Sequence, residues 1–222
     1  MPFKDRSEAG RKLAHPLAKY KDQRPVVLAL PRGGVPIAAE VAAALQAPLD
    51  LILVRKIGVP MQPELAMGAV VDGSTPVIVR NDDVIALVGI DEMEFTAVFE
   101  RELAEIERRR RRYLGDRERV DVAGRTAIVI DDGIATGATT RAALHAMRQR
   151  KPKTLVLAVP VAPTESLAAM RREADDVVCL EHFAAFGAIG YYYSDFRQVS
   201  DEDVIETLRR YSTGKPQHNS AA

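Results

Sequence analysis

The chain carries one cysteine in 222 residues, no excess of charge of either sign, and no apolar run longer than a strand. A single thiol cannot close an internal disulfide. Cys179 lies inside Val177-Val178-Cys179-Leu180, where it reads as a small buried hydrophobe and not as a nucleophile. Lys plus Arg number 31 and Asp plus Glu number 31, a balance that argues against nonspecific attraction to nucleic acid. The apolar runs fall far short of a membrane span. The first residues, MPFKDRSEAGRK, are charged and lack an apolar signal region, so a cytoplasmic protein is expected. Two phosphate-binding signatures are also missing. No Lys follows Gly137 as GxxxxGK[ST] requires, and no GxGxxG occurs.

What is present is an alternation of two patterns. Apolar, β-branched runs cover 26–30, 51–54, 77–79, 126–130, 154–159 and 177–180. They are near-continuous, which predicts strands covered on both faces. Helical stretches at 37–46, 141–149 and 165–174 lie between several of them. This order predicts an α/β architecture with a mostly parallel sheet. Apolar residues make up 47% of the chain, enough for a sizeable core. One domain is expected over residues 1–213, with a flexible tail at 214–222. Residues 6–20 read as a helix interrupted or kinked at Pro16. Ser200-Asp201-Glu202-Asp203 reads as a capping box for a last helix. A long helix is expected over about 91–114, with a narrow stripe of Phe95, Phe99 or Val98, Ile106 and Tyr113. Glu105–Arg109 and Glu107–Arg111 are spaced as i,i+4 pairs. The run from Arg108 to Arg112 reads as a solvated helix end with cations near its C-terminus.

Three segments carry chemistry. Residues 129–140 read VIDDGIATGATT: a strand end, two carboxylates, a loop of small residues and the start of a helix. Asp131 and Asp132 can accept hydrogen bonds from sugar hydroxyls. The loop can offer N–H groups, hydroxyls and a positive helix end to a phosphate. A sugar phosphate satisfies both. The second segment, Pro31-Arg32-Gly33-Gly34, follows a strand, and its glycines allow close approach of backbone to ligand. Arg32 can fork onto phosphate oxygens. The third, Arg55-Lys56, follows the 51–54 run and precedes a segment with Gly58, Pro60 and Pro63. Ligands of α/β sheets bind at the carboxyl ends of strands, where all three segments are expected.

Together the three segments resemble a type I phosphoribosyltransferase, a resemblance that extends over residues 5–211. VIDDGIATGATT is similar to that family's motif for phosphoribosyl pyrophosphate (PRPP), and PRGG to its pyrophosphate loop. The segment after Arg55-Lys56, residues 57–64, takes the place of its mobile active-site loop. The resemblance implies a three-layer fold with one antiparallel edge strand, here 77–79, and an inserted long helix. It implies that Asp131 and Asp132 hold the ribose hydroxyls and that Ala135, Thr136, Gly137, Ala138 and Thr139 cradle the 5′-phosphate. Arg32 and Gly33 would contact pyrophosphate, with Arg55 and Lys56 adding charge to stabilise the leaving group. A cis peptide would fall between Pro31 and Arg32. Mg²⁺ is the expected cofactor, held mainly by PRPP oxygens and water, with Asp131 or Asp132 as a contributing ligand.

The accepting group is left open. Hypoxanthine–guanine enzymes carry Asp where this loop has Ala135, which argues against a 6-oxopurine. A base-binding hood would come from residues 5–20 and 182–211, with Phe183, Phe186 or Tyr191 stacking on a planar acceptor. The small-molecule partners implied are PRPP and that acceptor, and a homo-oligomer is left open. A regulator that senses PRPP and binds nucleic acid through the arginine run is the alternative reading, against which the neutral charge argues.

Overall fold

The computed structural model describes residues 2–73 and 75–212, with side chains through residue 210. The expected tail at 214–222 lies outside the described residues. The main sheet has five parallel strands in the order β2-β1-β6-β7-β8. These are β1 (Val26–Ala29), β2 (Leu49–Leu51), β6 (Thr126–Ile130), β7 (Thr154–Pro163) and β8 (Asp176–Phe183). Every residue of β1 and β6 is buried, as their unbroken apolar composition requires.

Alternate strand residues enter two separate cores. Val27, Ala29, Ile128 and Ile130 face α1 (Arg6–Leu17), α2 (Gly34–Leu45), α4 (Glu92–Leu114) and α7 (Asp201–Ser212). Val26, Leu28, Ala127 and Val129 face α5 (Ala138–Gln149) and α6 (Thr164–Glu173). The two faces of one sheet are thus each covered by helices, which is the three-layer arrangement. Pro16 lies inside α1 close to its end, and the chain continues as a 3₁₀ turn over Ala18–Gln23.

A second sheet holds three antiparallel strands: β3 (Val54–Val59), β4 (Gln62–Val71) and β5 (Val77–Arg80). Three expectations are corrected here. The antiparallel strand at 77–79 exists, but it pairs with β4 in this second sheet and not at the edge of the main one. The apolar run 51–54 is not one strand: β2 ends at Leu51, Ile52 and Leu53 form the crossing, and β3 starts at Val54. Residues 57–64, expected as a loop, form the tip end of the β3–β4 hairpin, whose exposed tip residue Met61 has φ +64°. A short helix, α3 (Asp82–Val88), joins β5 to α4. Among the described residues, no helix is long and apolar enough to cross a membrane.

Candidate active site

Parallel register brings the carboxyl ends of the central strands level: Ala29 of β1 stands beside Ile130 of β6 and Leu51 of β2. The PRGG and Asp-Asp segments therefore leave neighbouring strands at the same height. They pack directly on one another. A Cβ on Gly33 would lie 1.9 Å from Asp132 Oδ2, and one on Gly34 would lie 2.7 Å from the Ile130 carbonyl oxygen. Both glycines are required by this close approach. The peptide between Pro31 and Arg32 is cis, as the resemblance implied.

Each loop feeds a helix that starts without a side-chain cap. α2 follows Gly33 and α5 follows Gly137; neither has a side-chain cap, and neither has an acid in its first turn. In α2 the Gly34 and Val35 N–H groups donate to the Leu30 and Arg32 carbonyls and Pro36 has no N–H, so the start of α5 is the one whose first turn and positive dipole end are offered to an anion. Gly137 takes φ +78°, turning the chain into α5. Ala135, Thr136, Ala138 and Thr139 are exposed, whereas Thr140 is buried. The loop is built to present its backbone and hydroxyls outward, the chemistry of an anion cradle.

The two carboxylates have different surroundings. Asp132 is clamped. Arg6, at the start of α1, reaches its Oδ2 through Nε at 2.9 Å and a terminal nitrogen at 2.8 Å. Arg6 in turn donates to the Arg197 carbonyl at 2.8 Å and lies 3.9 Å from the centre of the Phe196 ring. The Tyr193 hydroxyl donates to the Asp132 carbonyl oxygen at 2.6 Å. Asp131 is held by one bond, from the Asp132 N–H to its Oδ1 at 2.9 Å. It borders a cavity of about 60 Å³, whose walls include Pro31, Arg55, Ile106, Arg109 and Thr139. Burial, and then the neighbouring Asp132 charge, pushes Asp131 well above the usual carboxylate range. Burial also raises Asp132, against the opposing pull of Arg6.

The expected cations divide. Arg55 lines the cavity, with Nε 2.8 Å and a terminal nitrogen 2.7 Å from Oε2 of Glu102 on α4. Arg32 stands 3.7 Å from Asp201 at the start of α7. Lys56 is held within the hairpin, 3.1 Å from Glu64. The arginine run is not a free cationic patch. Arg108 and Arg109 share Glu105, Arg110 faces Asp72 at 3.6 Å, and Arg112 pairs with Asp201 and Glu202. The Glu105–Arg109 pair forms as expected, and with Arg108 it holds Glu105 down at about 2. Of the aromatics, Phe183 and Phe186 each stack on Tyr192, with centroids 4.7 and 4.9 Å apart, and Tyr191 is exposed. Arg6, Tyr193, Glu102 and Arg109 carry no local signature in the sequence that would place them here.

The phosphoribosyl transferase domain model matches residues 5–86 and 94–195. The chain belongs to the phosphoribosyltransferase family. A protein of Mycobacterium tuberculosis strain CDC 1551, provisionally named a phosphoribosyl transferase, is 48% identical over 208 residues. Its counterpart in strain H37Rv matches equally. The match covers 94% of this chain and 46% of each mycobacterial protein, so the chain spans about half the length of these curated relatives. The crystal structure of TT1426 from Thermus thermophilus is 41% identical, with a TM-score of 0.82, covering 95% of this chain and 99% of that one. Its likeness supports the α/β architecture of this phosphoribosyltransferase domain.

Proposed function

We propose that this phosphoribosyltransferase moves the 5-phosphoribosyl group from PRPP to a nitrogen acceptor and releases pyrophosphate. One observation carries the reading: an uncapped helix start, a carboxylate held by a single hydrogen bond and a guanidinium line one cavity, in Thr139, Asp131 and Arg55. In this reading Ala135, Thr136, Gly137, Ala138 and Thr139 receive the 5′-phosphate. Asp131 accepts from a ribose hydroxyl. Asp132, tied to Arg6 and pressed on Gly33, fixes the height of Asp131 against the PRGG loop. Arg32, Gly33 and Arg55 face the pyrophosphate, with Lys56 adding charge from the hairpin.

The bond from the anomeric carbon to the pyrophosphate oxygen breaks as a bond to the acceptor nitrogen forms. Positive charge grows on the ribose ring and negative charge on the leaving group. Fixed guanidiniums stabilise the latter, and no protein nucleophile is required. The donor set fits Mg²⁺ carried mostly by its ligand. Among the described residues, no cluster of three or more His, Cys, Asp or Glu could cage a metal, and Asp131 offers a single hard carboxylate. Mg²⁺ keeps several waters and needs only one or two carboxylates beside phosphate oxygens. When bound, it would neutralise charge on the pyrophosphate.

The acceptor is a planar nitrogen compound in this reading. The hood of residues 182–211 supplies Phe183, Phe186 and Tyr191. A screen for pyrophosphate release from PRPP and Mg²⁺ across nucleobases and other amines tests it. The expected result is release that depends on one acceptor class. No release with any acceptor, together with no PRPP binding, would remove the proposal.

A further inference from the structure

We propose that Arg109 of α4 is a pyrophosphate-binding residue, parked on Glu105 until pyrophosphate oxygens replace that carboxylate. This rests on the PRPP reading above and extends it to a helix outside the three motif segments. The inward stripe of α4 runs Phe95, Val98, Glu102, Ile106 and Tyr113, all buried. Its steps are three, four, four and seven residues, and Arg109 and Arg110 both divide the last. Both therefore lie on the half-buried side of α4; Arg110 turns to Asp72, and Arg109 is the one at the cavity. Its side chain is 34% exposed and borders the same cavity as Asp131, Thr139 and Arg55.

The ion pairs around that cavity are arranged for exchange. Glu105 receives two bonds from Arg108, at 2.7 and 2.9 Å, as well as the 2.8 Å bond from Arg109. Glu102 receives Arg55, and also Arg101 at 3.3 Å. Each acid thus has a second arginine. Arg55 and Arg109 can both turn to an incoming phosphate without leaving Glu102 or Glu105 unpaired, which is the costly event for a sheltered charge. Four guanidiniums face two carboxylates here, a surplus that a polyanion offsets. Guanidinium forks also match phosphate oxygens in geometry.

Calorimetric titration with inorganic pyrophosphate, PRPP and ribose 5-phosphate, each with Mg²⁺, tests the inference. Arg109→Gln should weaken pyrophosphate and PRPP binding by roughly ten-fold or more, the loss expected of one charge-assisted bond. It should leave ribose 5-phosphate unchanged, and Arg109→Lys should retain part of the affinity. Glu105→Gln, which frees Arg109, should tighten pyrophosphate binding, and Arg111→Gln on the exposed face should change nothing. Arg109→Gln binding pyrophosphate as the wild type does would overturn the inference and leave the PRPP reading intact. Wild type that binds neither PRPP nor pyrophosphate overturns both.

Discussion

Two kinds of helix start coexist in this fold. α1, α4 and α7 begin under polar side chains: Asp5 accepts from the Glu8 N–H, Asp91 from the Glu94 N–H, and Ser200 from the Asp203 N–H. α4 and α7 have reciprocal bonds as well, in which Glu94 and Asp203 accept from the Asp91 and Ser200 N–H groups. α2 and α5 begin at Gly33 and Gly137 with no such partner and no first-turn acid. Capping is worth about 1 kcal/mol per helix. The chain omits side-chain caps at α2, α5 and α6; the Leu30 and Arg32 carbonyls take the first N–H groups of α2, and Glu165 lies in the first turn of α6. The start of α5 is the one that a phosphate would cap. Stability of the empty protein and affinity for an anion are set against each other at the same N–H groups.

The lock between the PRGG and Asp-Asp loops is most sensitive at Gly33. A Cβ there meets Asp132 Oδ2 at 1.9 Å, so Gly33→Ala should force the carboxylate off Arg6. We expect a loss of about 1–3 kcal/mol in chemical denaturation, the usual cost of overpacking. PRPP should then give no thermal shift. A variant as stable as wild type would mean that the two loops are not locked together.

Asp131→Asn separates stability from binding. Burial raises the folded-state pKa of Asp131, so the protonated form is the one the empty fold prefers. The stability contributed by that preference is fully present below the unfolded value of 3.8 and is lost as pH rises through the raised folded value. Asn imitates the protonated form and keeps the acceptor for the Asp132 N–H. At neutral pH the variant should melt roughly 2–4 °C higher, the shift that about 1 kcal/mol makes in a chain of this size. The advantage should fade as pH falls toward about 4. Equal melting at pH 7 would contradict the buried-carboxylate account.

The capped and open starts predict opposite signs. Asp91→Ala should destabilise the protein by about 1 kcal/mol without changing PRPP affinity. Ala138→Asp, an acid added to the first turn of α5, should stabilise the empty protein by about 0.3–1 kcal/mol. The same change should weaken PRPP binding, because the new carboxylate occupies the anion cradle. Thermal melts with and without PRPP read both effects. If Ala138→Asp strengthened PRPP binding, the open helix start would not be the phosphate site.

What could be read from the sequence was local. The strand–acid–loop–helix order around Asp131 needs only neighbouring residues, and β6 runs over Thr126–Ile130 as expected. The helix boundaries follow from caps such as Asp91 and Ser200, which act within three residues. The break between β2 and β3 was hidden because Ile52 and Leu53 are buried in the crossing just as strand residues would be. Apolar character marks burial and not sheet membership. Arg6 and Asp132 lie 126 residues apart, so no pattern along the chain joins them. Three consecutive tyrosines follow Gly190, and only packing distinguishes Tyr193, which is buried, from Tyr191, which is exposed. Arg109 was obscured by its four arginine neighbours. The stripe of α4 fits Arg109 and Arg110 equally, and only the folded chain shows that Arg109 is the one at the cavity.

The central claim is a two-sided PRPP site, with the sugar and its phosphate on the β6 edge and pyrophosphate against the PRGG loop and α4. Calorimetric titration of PRPP and Mg²⁺ into wild type and Asp131→Asn tests it most directly. The account predicts one PRPP per chain for wild type and no measurable binding for the variant, which remains folded. Equal binding by the two proteins, or none by wild type, would contradict it.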